Sequence, residues 1–99
     1  INNALEGQFF SQKTVNGLAI KAQILQKKGD SDGFGNTMDE ALTIATPNQI
    51  NRMGYAMVRS KDYDRAIKYF SKNVKSDPKN ANWYDSLGEA YKAKGDKKF

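Results

Sequence analysis

The residue types that most often carry catalysis are thin in this 99-residue chain. It contains no histidine and no cysteine. The commonest general base near neutral pH is therefore missing, and so are thiolate chemistry, disulfides and zinc fingers. Ser11, Ser31, Ser60, Ser71, Ser76 and Ser86 stand in no nucleophile-elbow motif and have no base spaced to activate them. The paired carboxylates Asp62 and Asp64 stand at an expected helix start, where negative charge favours the helix dipole without any acid–base role. One loop-like stretch has a metal-binding outline, with Asp30, Asp32 and a glycine, Gly35, at the sixth position of a calcium loop. Phe34 and Ala41 then fall at the fifth and twelfth positions, where an oxygen ligand and a bidentate glutamate are needed, so the outline fails as a site. These residues point away from an enzyme and imply no metal and no cofactor.

The remaining chemistry is that of surfaces. Lys and Arg number 16 against 11 Asp and Glu, a formal charge of +5. Such a surplus suits nucleic acid, an anionic membrane, an acidic partner or plain solubility. Arg65, Lys68, Lys72 and Lys75, continuing to Lys79, recur at steps of three and four and make one basic stripe along a helix. No aromatics interleave these charges, which makes a solvated face the simpler reading and nucleic acid the weaker one. Tyr63, Ile67, Phe70 and Val74 form an apolar stripe on the same segment. No apolar run approaches the length of a membrane span, and no signal-peptide pattern is present. The first residue is Ile1, as in a processed or trimmed chain.

The elements that must position these residues are helices. Hydrophobic residues make up 38% and charged residues 27% of the chain, a polar balance that suits stacked helix pairs, each covering only its neighbours. Caps mark the segments. Thr46, Pro47 and Gln49 make a capping box with Pro at the first helical position; Thr37 with Glu40 makes another; Asn80 caps a third helix. The map that results has helices near 2–10, 13–28, 38–46, 47–60, 62–76 and 81–94.

An internal repeat runs through the second half. Gly54 and Gly88 are 34 residues apart, as are Ile50 and Tyr84, Met57 and Tyr91, and Asp62 and Asp96. A glycine inside a helix costs about 1 kcal/mol relative to alanine, and close approach of a neighbouring helix offsets that. Ala66 supplies a small residue on the facing helix, Phe70 fills the space one turn on, and Asp77-Pro78 ends the unit. Gly95-Asp96 reads as a helix C-cap followed by the next N-cap, a place Lys61-Asp62 takes one repeat earlier.

With this 34-residue period, residues 47–80 resemble the tetratricopeptide repeat family, with Asn73 standing where a small residue is usual, and residues 81–99 match the first helix of a further repeat. Asn48 to Asp96, and Asn82 to Tyr91 in particular, is also similar to the divergent repeat pair at the C-terminal ends of some exported bacterial proteins, hydrolases among them. An earlier, degenerate unit spans 12–46: Leu18, Ala22 and Leu25 on its first helix, Lys21 at the usual leucine position, Gly29-Asp30 as its turn, Ala41 as the small residue of its second helix, and an inserted loop at 31–37. Residues 1–11 read as the end of a preceding helix.

The resemblance implies an all-α domain over 1–99, with antiparallel helix pairs stacked as a right-handed superhelix. It implies a non-catalytic scaffold that binds a protein or peptide segment in a groove lined by first helices. By offset, the lining positions are Asn16, Ala19, Gln23, Gln26 and Lys27; Asn48, Asn51, Tyr55, Val58 and Arg59; and Asn82, Asp85, Glu89 and Lys92. Tyr55 and Arg59 are the strongest anchor types. Trp83, Tyr84, Leu87 and Tyr91 are expected to pack on helix 62–76, and the flank of helix 81–94 left bare is expected to meet more chain or a second copy. The alternatives are a structural or dimerising appendage of a neighbouring domain, such as a hydrolase, and a basic face for nucleic acid or an acidic partner. The exported relatives imply a periplasmic or exported setting, with a cytoplasmic one left open.

Overall fold

A computed structural model describes residues 14–95, which form five α-helices; among the described residues there is no strand. The helices are α1 (Val15–Lys27), α2 (Ser31–Leu42), α3 (Pro47–Arg59), α4 (Tyr63–Ser76) and α5 (Ala81–Lys94). They fall into two compact units that divide between Ala45 and Thr46. The expected helix at 2–10 and the expected cap at Asp96 lie outside the described residues.

The first unit is a helical hairpin. Thr14 caps α1, its Oγ1 accepting from the Gly17 N–H at 3.0 Å. The helix closes with Gly29 in the left-handed region at φ 83 and the Asp30 N–H donating back to the Leu25 carbonyl at 2.9 Å, the pattern of a Schellman motif. Asp30 then caps α2, its carboxylate accepting from the Gly33 N–H at 2.8 Å. Leu18 and Ala22 of α1 and Phe34, Thr37, Met38, Ala41 and Leu42 of α2 are buried.

Here the structure corrects the sequence reading. Residues 31–37 are no inserted loop; they are the first two turns of α2, and Thr37 is buried mid-helix instead of capping a helix at 38. The helix also ends at Leu42, short of 46. The stretch is rich in Ser, Asp, Gly and Asn, which read as loop by composition. Phe34, Thr37, Met38 and Ala41 nonetheless recur at helical spacing and bury one face, and burial outweighs weak propensity. The caps confirm that nothing is inserted. Thr14 and Thr46, Gly29 and Lys61, and Asp30 and Asp62 are each 32 residues apart in matching roles. The two residues missing from a 34-residue period come from α2, which has 12 residues where α4 has 14. Phe34 therefore stands where Ala66 stands in the second unit, and Ala41 where Asn73 stands.

The second unit packs α3 and α5 on opposite flanks of α4. The predicted capping box is formed: Gln49 N–H to Thr46 Oγ1 at 3.3 Å, and Thr46 N–H to Gln49 Oε1 at 2.9 Å. The α3–α4 turn repeats the Schellman pattern, with Asp62 N–H to Met57 O at 2.9 Å, but places Lys61 at φ 64 where α1 and α5 end on Gly29 and Gly95. Gly95 ends α5 at φ 88. Ile50, Met53, Gly54 and Met57 of α3, Ala66, Tyr69, Phe70 and Asn73 of α4, and Trp83, Ser86 and Ala90 of α5 are buried.

Two contacts fix the packing. Gly54 lies against the Phe70 ring: a Cβ added there would sit 2.6 Å from Cζ and 2.8 Å from Cδ1. The close approach expected of Gly54 is thus to the aromatic ring. Asn73, fully buried, donates from Nδ2 to the Pro47 carbonyl at 2.9 Å, tying the end of α4 to the start of α3. An amide at the family's small-residue position thereby gains a partner. Of the four residues expected as core on α5, Trp83 is buried, Leu87 and Tyr91 are half-buried, and Tyr84 is 47% exposed. Ser86 and Ala90 are buried on this helix beside Trp83 instead.

Candidate functional site

The side chains brought together by α3 and α5 centre on Tyr55. Its ring meets Phe70 edge-on, with centroids 5.1 Å apart and planes at 64°, a geometry that aligns the ring quadrupoles. Its hydroxyl hydrogen-bonds the Glu89 carboxylate and lies 3.2 Å from Ser86 Oγ. The hydroxyl has one proton and the carboxylate can only accept, so that hydrogen bond goes to Glu89 and Ser86 is left to donate in return. Burial, and after it the hydrogen bond to Glu89, raise the Tyr55 pKa above its ordinary 10.0; the Glu89 and Asp85 charges push the same way. The phenol is therefore held neutral, as a polar tie between two helices.

Helical spacing sets the other predicted residues around this tie. Asn48, Asn51 and Arg59 lie seven and four residues before Tyr55 and four after it; Asn82, Asp85 and Lys92 bear a similar relation to Glu89. Each set shares the face of its own helix that carries the tie. Asn48, Arg59, Asn82, Asp85, Glu89 and Lys92 are exposed, Val58 is half-buried, and Asn51 is half-buried with Oδ1 enclosed and without a hydrogen-bond partner. The face carries asparagine amides toward the helix starts, Asp85 and Glu89 in the middle and Arg59 and Lys92 toward the ends.

The remaining predicted positions lie elsewhere. Asn16, Gln23, Gln26 and Lys27 are exposed and Ala19 half-buried on α1, in the other unit. Along α4, Lys68, Lys72 and Lys75 are exposed, whereas Arg65 is half-buried and pairs through Nη1 with Asp62 Oδ2 at 2.9 Å. The stripe therefore begins with a guanidinium held by the acidic cap of its own helix. Asp64, beside it in sequence, pairs with Lys94 at 3.0 Å, an exposed contact that contributes little. Among the described residues no group of three or more acidic, histidine or cysteine side chains is arranged to hold a metal. No helix among them is long and apolar enough to cross a membrane.

Sequence reading missed Ser86, Tyr69 and the Asn73–Pro47 bond. One signal was available: Tyr55 and Glu89 are 34 residues apart, one full repeat, which puts them at the same place on successive first helices. Residues 50–80 match the family model of the tetratricopeptide repeat, covering most of α3, all of α4 and the turn that follows. No curated protein and no solved structure matches the chain.

Proposed function

We propose that this chain is a non-catalytic repeat scaffold that holds a protein or an extended peptide segment, with α3 and α5 as the docking face. The tetratricopeptide match supports this at the level of the module, because such repeats serve as protein-interaction scaffolds. The observation that carries the reading is the Tyr55–Glu89 bond between α3 and α5. It fixes the spacing of two helices whose shared face is polar, largely exposed and rich in side-chain amides. Amides of Asn48 and Asn82 can both donate to and accept from a peptide backbone, and Arg59 can engage a carboxylate. A rigid platform lowers the ordering cost of binding. A place within a larger, exported bacterial protein is proposed on the resemblance of residues 48–96 alone.

Selection of extended peptides from a displayed random library tests this. Enriched peptides should shift backbone amide resonances of α3 and α5 and lose binding on Arg59→Ala and Asp85→Ala, with unchanged far-ultraviolet circular dichroism. A library that yields no enrichment, or peptides indifferent to both substitutions, would sink the reading.

One observation favours a second reading, a structural or dimerising appendage of a neighbouring domain. Tyr55, the strongest anchor type on the face, spends its hydroxyl on Glu89 and its ring edge on Phe70. A silent peptide selection combined with tight, stoichiometric binding to an adjoining domain of the same protein would select that reading.

A further inference from the structure

Two cations on the α3–α5 face are uncommitted. Arg59 and Lys92 are exposed and make no ion pair among the described residues. A cation in a last helical turn suits the helix dipole, which accounts for the charge but not for its place around the helix. Lys94, in the same last turn of α5, is turned to Asp64 on α4 instead. Arg65 is held by Asp62, the acidic cap of its own helix, which is also the first acid after Arg59 in the chain.

The two cations stand at the same level. α4 returns between α3 and α5, so those two helices run in the same direction, and the Tyr55–Glu89 bond sets their register. Arg59 lies four residues past Tyr55 and Lys92 three past Glu89, about 6 and 4.5 Å further along their helices. Packed helices lie about 8–10 Å apart, a gap that two long side chains can close over one small anion. The rest of the face has no such single sign. Arg52, three residues before Tyr55, is level with Asp85, four before Glu89, and their charges oppose. The Glu89 carboxylate is taken up by the Tyr55 hydroxyl.

We infer that the ends of α3 and α5 seat an acidic side chain of the bound peptide, with its carboxylate between the Arg59 guanidinium and the Lys92 ammonium. This rests on the scaffold reading above and adds the partner's charge and its direction on the face. The guanidinium fork can take both carboxylate oxygens, and the ammonium adds a compact point charge from the other helix. Both cations are exposed, so the seat selects and orients the peptide and is weakened by salt. The acidic residue lies toward the helix ends, and the stretch that meets Asp85 carries no acid, because like charges there repel.

The test is a selection from a random peptide library displayed through its C-terminal ends, so that only side chains supply a carboxylate. Peptides enriched on the full chain should share an Asp or Glu. On the unaltered chain, changing that residue to Asn or Gln should weaken binding about tenfold at low salt, and less at high salt. A fresh selection on Arg59→Glu with Lys92→Glu should enrich Lys or Arg instead. Lys75→Glu with Lys79→Glu, exposed positions that change the net charge equally, should leave the acidic preference in place. Peptides that bind α3 and α5 without an acidic preference would overturn the seat and leave the scaffold standing. So would an acidic preference that survives reversal of Arg59 and Lys92 or is lost equally on reversal of Lys75 and Lys79. A library with no enrichment would sink the scaffold and the seat together.

Discussion

Gly54 and the ring of Phe70 are in such close approach that no side chain fits between them: a Cβ at Gly54 would lie 2.6 Å from Cζ of a residue that is itself wholly buried. The glycine is there for contact, and helix propensity is sacrificed to obtain it. Propensity alone says that Gly54→Ala stabilises by about 1 kcal/mol. Overpacking a wholly buried ring says that it destabilises by about 1–3 kcal/mol. Calorimetry should show a lower Tm for Gly54→Ala, and Phe70→Leu should remove most of that penalty in a double-mutant cycle. A raised Tm would refute the contact.

Lys61 offers the opposite case. It holds the left-handed position of the α3–α4 turn at φ 64, where the corresponding turns use Gly29 and Gly95. Left-handed backbone costs an ordinary residue about 1–2 kcal/mol, partly offset by the freedom glycine gains in the unfolded chain. Lys61→Gly should therefore stabilise the second unit by about 0.5–1 kcal/mol in chemical denaturation. Lys61→Ala should change stability little.

Alkaline titration tests the Tyr55 tie. The folded-state pKa of Tyr55 is raised from 10.0, chiefly by burial and then by the bond to Glu89. The folded state thus holds this proton more tightly than the unfolded state does. The associated stability is complete below pH 10 and is lost as pH climbs through the raised value. Stability measured between pH 8 and 11 should fall more steeply for the native chain than for Tyr55→Phe, which keeps the ring against Phe70 and has no proton to lose. Parallel curves would show that Tyr55 contributes nothing to the pH dependence.

The first two turns of α2 can be checked directly. Asp30 caps the helix through the Gly33 N–H, so Asp30→Ala should cost about 1 kcal/mol in the first unit. Backbone amides of Thr37 and Met38, mid-helix and buried, should exchange slowly with solvent. Fast exchange at both would restore the loop.

Much of this architecture was legible in the residues. Pro47 after Thr46, with Gln49 behind it, fixed the start of α3, because capping is a local reaction between neighbours. Asn80 did the same for α5, whose bounds at 81–94 match the reading. The 34-residue spacing of Gly54 and Gly88 identified the repeat. Residues 31–37 misled because Gly, Asp and Asn are weak helix formers, and only the cover that α1 gives Phe34 and Met38 decides in favour of a helix. The polar face of α3 and α5 was legible as a set of offsets; that Tyr55 is turned inward to Glu89 was not.

What the sequence determined alone, then, is what depends on residues a turn or two apart: caps, helix starts and the period of the repeat. Tertiary structure decided which partner each side chain meets across the gap between helices. Asn73 reaches the Pro47 carbonyl, Phe70 fills the notch at Gly54, and Tyr55 donates a hydrogen bond to Glu89. The reason is that such pairings are settled by distances of tenths of an ångström between elements far apart in the chain, and by competition for buried volume. Spacing along the sequence encodes neither.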